Sequence, residues 1–301
     1  MKAAPHMLTA QPFAALPDEL RHKGPPSAWA KMTRPGQNMH SFLEGAFFDA
    51  AQNLWLADVP YGRVFQVSPT GGWQLMHTIK GEPHAMRIAP DGRLIAVDYR
   101  HGLVELTGES DFSVLSTGLK NQPFLGLSDM AYGPDGTLWF TDSGRTSLSD
   151  PTGRVYALSP AGELRLVLDC VPYSNGICLS PDGAWVYVAA TRANQVWRFS
   201  ANLPARGAPM VGTFLQLSGG LGPDGLACNS LGWLAVAQAQ AGRAYVFDAL
   251  GDMLAEIRLP EGLWTTSVAF HPSTPTRLYI VDAQLAAVFT CNIPTHEAPN
   301  E

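Results

Sequence analysis

Cysteine is scarce in this chain of 301 residues: Cys170, Cys178, Cys228 and Cys291 are the four present, and no two stand in a CxxC or other metal-ligand spacing. That excludes a disulfide framework and a structural zinc module, and leaves reduced, buried thiols, with Cys178 and Cys228 inside strands as small core residues. Long apolar runs are also missing. The first twenty residues, MKAAPHMLTAQPFAALPDEL, are interrupted by Pro5, His6, Gln11 and Pro12, and nothing later approaches the about 18 apolar residues of a membrane helix. The expectation is a cytoplasmic protein with no membrane partner. Clustered positive charge is absent as well, with 20 Lys and Arg against 26 Asp and Glu and a net charge of −6. Without a stripe to neutralise phosphates, nucleic acid is not an expected partner. No GxSxG turn occurs, which disfavours acyl-enzyme chemistry on serine.

What the chain does have is a recurring hairpin. Residues 128–142 read SDMAYGPDGTLWFTD: a short apolar run, a Pro-Asp-Gly turn, and a second run of aromatic and β-branched residues ending in Asp. Runs of that length joined by such a turn form antiparallel strands. The same pattern begins at Glu44, His84, Asn175, Asp224 and Thr266, giving six copies spaced by about 40 to 50 residues, the interval at which propeller blades repeat. A third apolar run follows each hairpin, and a fourth (WQLMHTI, FSVLST, LRLVLD, TFLQL, MLAEIRL) follows five of them. The reading is an all-β, six-bladed β-propeller with four-stranded antiparallel blades. Its sixth blade lacks an outer strand, and an open edge must be paired. The N-terminal MLTAQPFAALP is the expected donor, so that 1–301 form one domain in which residues 1–39 supply the closing strand and a Pro-rich crossover.

Four residues before the large residue at the middle of each first strand stand Glu44, His84, Ser128, Asn175, Asp224 and Thr266. First strands line a propeller's channel, so these six polar side chains should ring one end of it. A solvated channel mouth explains any one of them. The set is more demanding: two carboxylates about 5 Å apart repel by roughly 3 kcal/mol at an effective dielectric near 20, which calls for a shared proton or a cation. Carboxylate and amide oxygens with a single imidazole suit Ca²⁺, Mg²⁺ or Mn²⁺ more than structural Zn²⁺.

The segments LEGAFFD, LSDMAYGPDG, YSNGICLSPDG and GPDGLACNSLG resemble the gluconolactonase, senescence-marker-protein and luciferin-regenerating-enzyme family of six-bladed propellers, over nearly the whole chain from about residue 40. The resemblance implies a metal-dependent lactonase acting on a small molecule. Glu44, Asn175 and Asp224 match the family's divalent-metal ligands, with Ca²⁺ favoured and Mg²⁺, Mn²⁺, Zn²⁺ or iron open. Asp224 also matches its general base. Asp129 is either a second catalytic carboxylate or a residue satisfying backbone N–H groups. Ser128 replaces the family's third-blade Asn, and Gly126 stands where sugar-lactone members carry Arg. With His84, Ser128, Phe124, Tyr173 and Trp264 as substrate contacts, and Phe42 beside them, the expected lactone is less polar than an aldonolactone. A sugar-acid lactonase, an organophosphate hydrolase or isomerase on the same metal, and a non-catalytic binding platform remain alternatives. Asp58, Asp98 and Asp142, at one common spacing after ring residues, either orient the ligands or cap backbone turns.

Overall fold

The structure is a computed structural model that describes residues 4–295. Second strands such as Leu54–Asp58 are apolar at consecutive positions because both faces are buried: Leu54 and Leu56 face the sixth blade, Trp55 and Ala57 the second. A sheet buried on two faces needs a neighbour on each side. Six radially repeated sheets satisfy that requirement, and an apolar cluster lies between each adjacent pair of blades.

The innermost strands are Leu43–Phe48, Pro83–Ile88, Leu127–Tyr132, Ser174–Leu179, Gly222–Cys228 and Thr265–His271. Each contacts the next, and the sixth contacts the first, closing the ring. Five blades continue outward to a fourth strand of their own. The sixth takes its outer strand from the N-terminal segment: β2 (Gln11–Ala15) pairs antiparallel with Ala287–Asn292. Beyond the expected single closing strand, β1 (His6–Thr9) lies parallel on Met253–Arg258 and gives the fifth blade a fifth strand. The N-terminal segment therefore straps two blades together.

The crossover that follows is more than a connection. Ser27 accepts a hydrogen bond from the Ala30 amide and caps the helix α1 (Ala28–Thr33), which buries Trp29 and Ala30 against Met39, Phe42, Val59 and Ala283. This seventh cluster sits on one end of the propeller. The four cysteines are free, Cys178 and Cys228 face one another at 3.6 Å, and Cys170, expected to be buried, is exposed because it lies on an outermost strand.

Among the described residues no helix is long and apolar enough to cross a membrane.

Candidate functional site

Every innermost strand changes register at its first residues, between Glu44 and Phe47, Pro83 and Ala85, Leu127 and Met130, Ser174 and Ile177, Pro223 and Leu226, and Thr265 and Ser267. Such bulges bend a strand and re-aim a side chain, here into the channel mouth. The pairs Glu44-Gly45, Asn175-Gly176 and Asp224-Gly225 have a steric cause. A Cβ at Gly176 would stand 2.1 Å from the Asp224 carbonyl oxygen, one at Gly225 2.7 Å from that of Thr266, and one at Gly45, whose φ is +64°, 2.4 Å from that of His84. Glycine lets neighbouring inner strands close up immediately beside each of the three oxygen donors.

A cavity of about 720 Å³ opens there, and five of the six ring residues, Glu44, His84, Ser128, Asn175 and Asp224, line it. Thr266 does not: it is fully buried and donates to the Leu43 carbonyl at 2.8 Å. Ser128 Oγ donates to Asn175 Oδ1 at 2.7 Å, and Asn175 Nδ2 donates to Asp224 Oδ1 at 2.7 Å, so blades three, four and five share one polar chain. Burial, then the charges of Asp224 and Asp129, push Glu44 well above the carboxylate range. Asp224 is raised well above its ordinary value by burial and the Asp129 charge, against an opposing bond from Asn175.

Asp129 is turned away from this cavity. It accepts the Met130 amide at 2.8 Å and the Ile177 amide at 3.1 Å, and Arg87 stands 3.7 Å away. Its carboxyl is raised by burial, with Arg87 and the two amides opposing.

Phe42, Tyr173 and Trp264 line the cavity as expected. Tyr173 holds φ at +63°, a rare conformation for a bulky residue, and burial pushes its hydroxyl up to about 12. His84 sits between Trp29 and Tyr99 with Nε2 unpartnered among the described residues, and burial lowers its imidazole to about 4. Phe124 corrects the expected rim: it packs on Phe140 and Tyr156 in the core between blades two and three and is not among the cavity's lining.

The buried aspartates at the ends of second strands are structural ties. Asp58 accepts the Phe42 amide and Arg63, Asp98 the amides of Glu82, Arg100 and His101, Asp142 those of Leu125 and Gly126, and Asp282 those of Trp264, Gln284 and Leu285. Each fixes the segment entering its own blade, a wider role than capping the next turn.

Several lining residues were not foreseen. Trp29, Met32 and Arg34 arrive on α1 and its end, Tyr99 from blade two, Arg145 from the loop after blade three's second strand, and Arg192 from the short helix Thr191–Ala193. Their sequence context is that of loops. Only the Ser27 cap and the apolar Trp29-Ala30 pair hint that the crossover folds.

The donor set fits a hard cation. A half-buried carboxylate, Glu44, a buried one, Asp224, and an amide carbonyl face one cavity, and among the described residues neither Glu44 nor Asp224 has a basic ion-pair partner. No cluster of three or more His, Cys, Asp or Glu stands ready for a metal among the described residues, because the third donor here is an amide.

A six-bladed propeller with an oxygen-donor site at its channel mouth is the class that fold and cavity define. Residues 42–284 match the SMP-30/Gluconolactonase/LRE-like region, and the chain belongs to that family. Lactonase drp35 of Staphylococcus aureus (strain USA300) is 30% identical over 268 residues, 82% of this chain and 79% of the relative. Lactonase drp35 of Staphylococcus epidermidis (strain ATCC 12228 / FDA PCI 1200) is 29% identical over 263 residues, 82% and 78% of the two chains. Among solved structures, a gluconolactonase from Xanthomonas campestris superposes with a TM-score of 0.73 at 22% identity, covering 98% of this chain and 99% of that one. A calcium-binding protein, regucalcin, from Agrobacterium tumefaciens gives 0.70 at 21% identity, covering 97% and 96%.

Proposed function

We propose that this protein is an enzyme that opens a lactone by hydrolysis with the help of a divalent cation, Ca²⁺ before Mg²⁺ or Mn²⁺, held by Glu44, Asn175 and Asp224. One observation carries the reading: two carboxylates, Glu44 half-buried and Asp224 buried, share a cavity with an amide oxygen and have no basic partner among the described residues, a charge arrangement that a cation relieves. The lactonase relatives support the reaction class.

When bound, the cation supplies Lewis acidity toward the lactone carbonyl and toward water. The chain's own groups do the rest. Asp224 lines the cavity and takes the proton of the attacking water. Asp129 is committed to two amides and Arg87, and positions the blade-three and blade-four strands. Asn175 is fixed by Ser128 and Asp224, which holds its amide beside the carboxylates. Tyr173 stays protonated and His84 stays neutral at ordinary pH, so both offer hydrogen bonds without charge.

The wall of Trp29, Phe42, Tyr99, Tyr173 and Trp264 favours a lactone ring less hydroxylated than an aldonolactone. Added methylenes in such a pocket are worth only about 1 to 3 kcal/mol each, so kcat/KM should climb gradually along an alkyl series.

A pH-indicator assay on sugar, aliphatic and aromatic lactones, before and after chelation, tests this reading. Activity that chelator abolishes and Ca²⁺, Mg²⁺ or Mn²⁺ restores is expected, with Asp224→Asn reducing kcat by about 10²-fold or more. Chelator-resistant turnover sinks the metal, and glucono-lactone as the sole good substrate sinks the apolar body.

A further inference from the structure

The crossover brings to the cavity a half-buried charge that hydrolysis does not use. Arg34 ends α1 and lines the cavity wall. Its guanidinium lies over the Trp264 ring, 3.2 Å from the centroid, and 5.4 Å from that of Phe42. Stacking occupies the flat face of the group and leaves its edges for hydrogen bonds. Along one edge, Nε and Nη2 are buried and have no hydrogen-bond partner among the described residues. No carboxylate of the described chain pairs with Arg34, although Glu44 and Asp224 line the same cavity. A half-buried cation whose inner edge is left this way is costly, and partial burial lowers the Arg34 guanidinium to about 10.

The shape of the free edge selects its partner. The Nε and Nη2 hydrogens point the same way in one plane, the arrangement that meets both oxygens of a carboxylate in parallel bonds. Arg145 and Arg192 are exposed on the same cavity wall and are also without a carboxylate partner among the described residues. They make the mouth locally positive in a chain of net charge −6, which draws an anion in.

We propose that the substrate carries a carboxylate apart from its lactone ester, and that Arg34 binds this group through its Nε–Nη2 edge while Trp264 holds the guanidinium plane. The inference rests on the lactone-hydrolase reading and narrows its substrate class to lactones of apolar body with one acidic end. Their ester lies toward Glu44 and Asp224, and their acid toward α1. Arg34 is then a specificity residue for the known class of reaction, supplied by the segment that closes the ring.

Recognition is tested apart from turnover with a γ-lactam carboxylate and its methyl amide, titrated calorimetrically into the full chain in the presence of Ca²⁺. The acid should bind wild type about tenfold or more tightly than the amide. The ratio should fall to about one in Arg34→Gln and to an intermediate value in Arg34→Lys, which keeps the charge and loses the fork. Equal affinities in wild type, or a ratio unchanged by Arg34→Gln, overturn the proposal. If melting shows Arg34→Gln to be misfolded, Arg34→Lys decides, and an undiminished ratio there overturns it. Turnover of the corresponding lactone acid and its methyl ester is measured separately. Failure to hydrolyse either one removes lactone hydrolysis, whereas hydrolysis of both without acid preference in binding removes only the role of Arg34.

Discussion

Replacing Glu44 with Gln in the absence of metal should stabilise the protein. Glu44 ionises normally in the unfolded chain, near 4.5, and burial with the Asp224 and Asp129 charges raises it well above that in the fold. A raised carboxyl contributes stability below its unfolded value and loses it as pH rises toward its folded value. At pH 7 the loss is capped by the interval from 4.5 to 7, which amounts to about 3 kcal/mol at 1.36 kcal/mol per unit. Gln removes the charge at nearly the same size. Asp224 and Asp129 still repel one another, so the relief should be at most about 3 kcal/mol, or roughly 5 °C in Tm for a chain of this length. At pH 5 the interval shrinks and the difference should fall below about 1 kcal/mol. Calcium reverses the order: a cation at 100 times its Kd stabilises wild type by about 2.7 kcal/mol, and the variant should gain little. The assay is scanning calorimetry of both proteins in chelator and in Ca²⁺, at pH 5 and 7. A variant that melts lower than wild type in chelator at pH 7, or one that Ca²⁺ stabilises equally, refutes the reasoning.

Deleting residues 1–15 removes β1 and β2 and bares the edges Met253–Arg258 and Ala287–Asn292, so Tm should drop and light scattering should show self-association; an unchanged Tm would sink the closure argument. Gly126 has φ +148° and a Cβ there would stand 2.4 Å from the Tyr99 ring, so Gly126→Ala should cost about 1 to 3 kcal/mol, and less in a Tyr99→Ala background. Denaturant titration of the four-member cycle checks this, and a cost untouched by Tyr99→Ala would place the strain in the backbone alone. His84 ionises in the unfolded chain near 6.5 but near 4 in the fold, so acidification across that window should remove up to about 3 kcal/mol of stability. The His84 ring should remain neutral by NMR at pH 6, and titration near 6.5 would contradict its burial.

The propeller was legible because its information is periodic. The Pro134-Asp135-Gly136 turn recurs in three blades and the apolar runs around it in all six, and the missing outer strand of blade six pointed to the N-terminal donor. The oxygen donors were legible for the same reason, since the bulge that aims Glu44, Asn175 and Asp224 recurs at one register position. The cavity roof was not. Trp29 and Arg34 lie on the crossover, which belongs to no repeat, and Arg145 and Arg192 lie in the turns between second and third strands, whose sequences differ from blade to blade. Reading Gly126 as the loss of a cation missed why glycine stands there: the Tyr99 ring occupies the space a side chain would need, and cationic groups enter from other loops. Phe124 shows the opposite failure, an aromatic at the right distance from a ring residue that turns into the core.

The N-terminal strap also sets an order of events during synthesis. β2 leaves the ribosome early, but its partner strand is Ala287–Asn292, with Gln11 opposite Thr290. Domains form N-terminal end first as chains emerge, yet this ring cannot shut until the last blade is made, and such distant pairing is slow to find. Because α1 also packs on Ala283 and Arg34 stacks on Trp264, both from the sixth blade, that part of the cavity roof is completed only at the same late step. A nascent chain with five blades therefore has most of its channel wall and no finished pocket. Synthesis of the sixth blade is itself the checkpoint for a competent site.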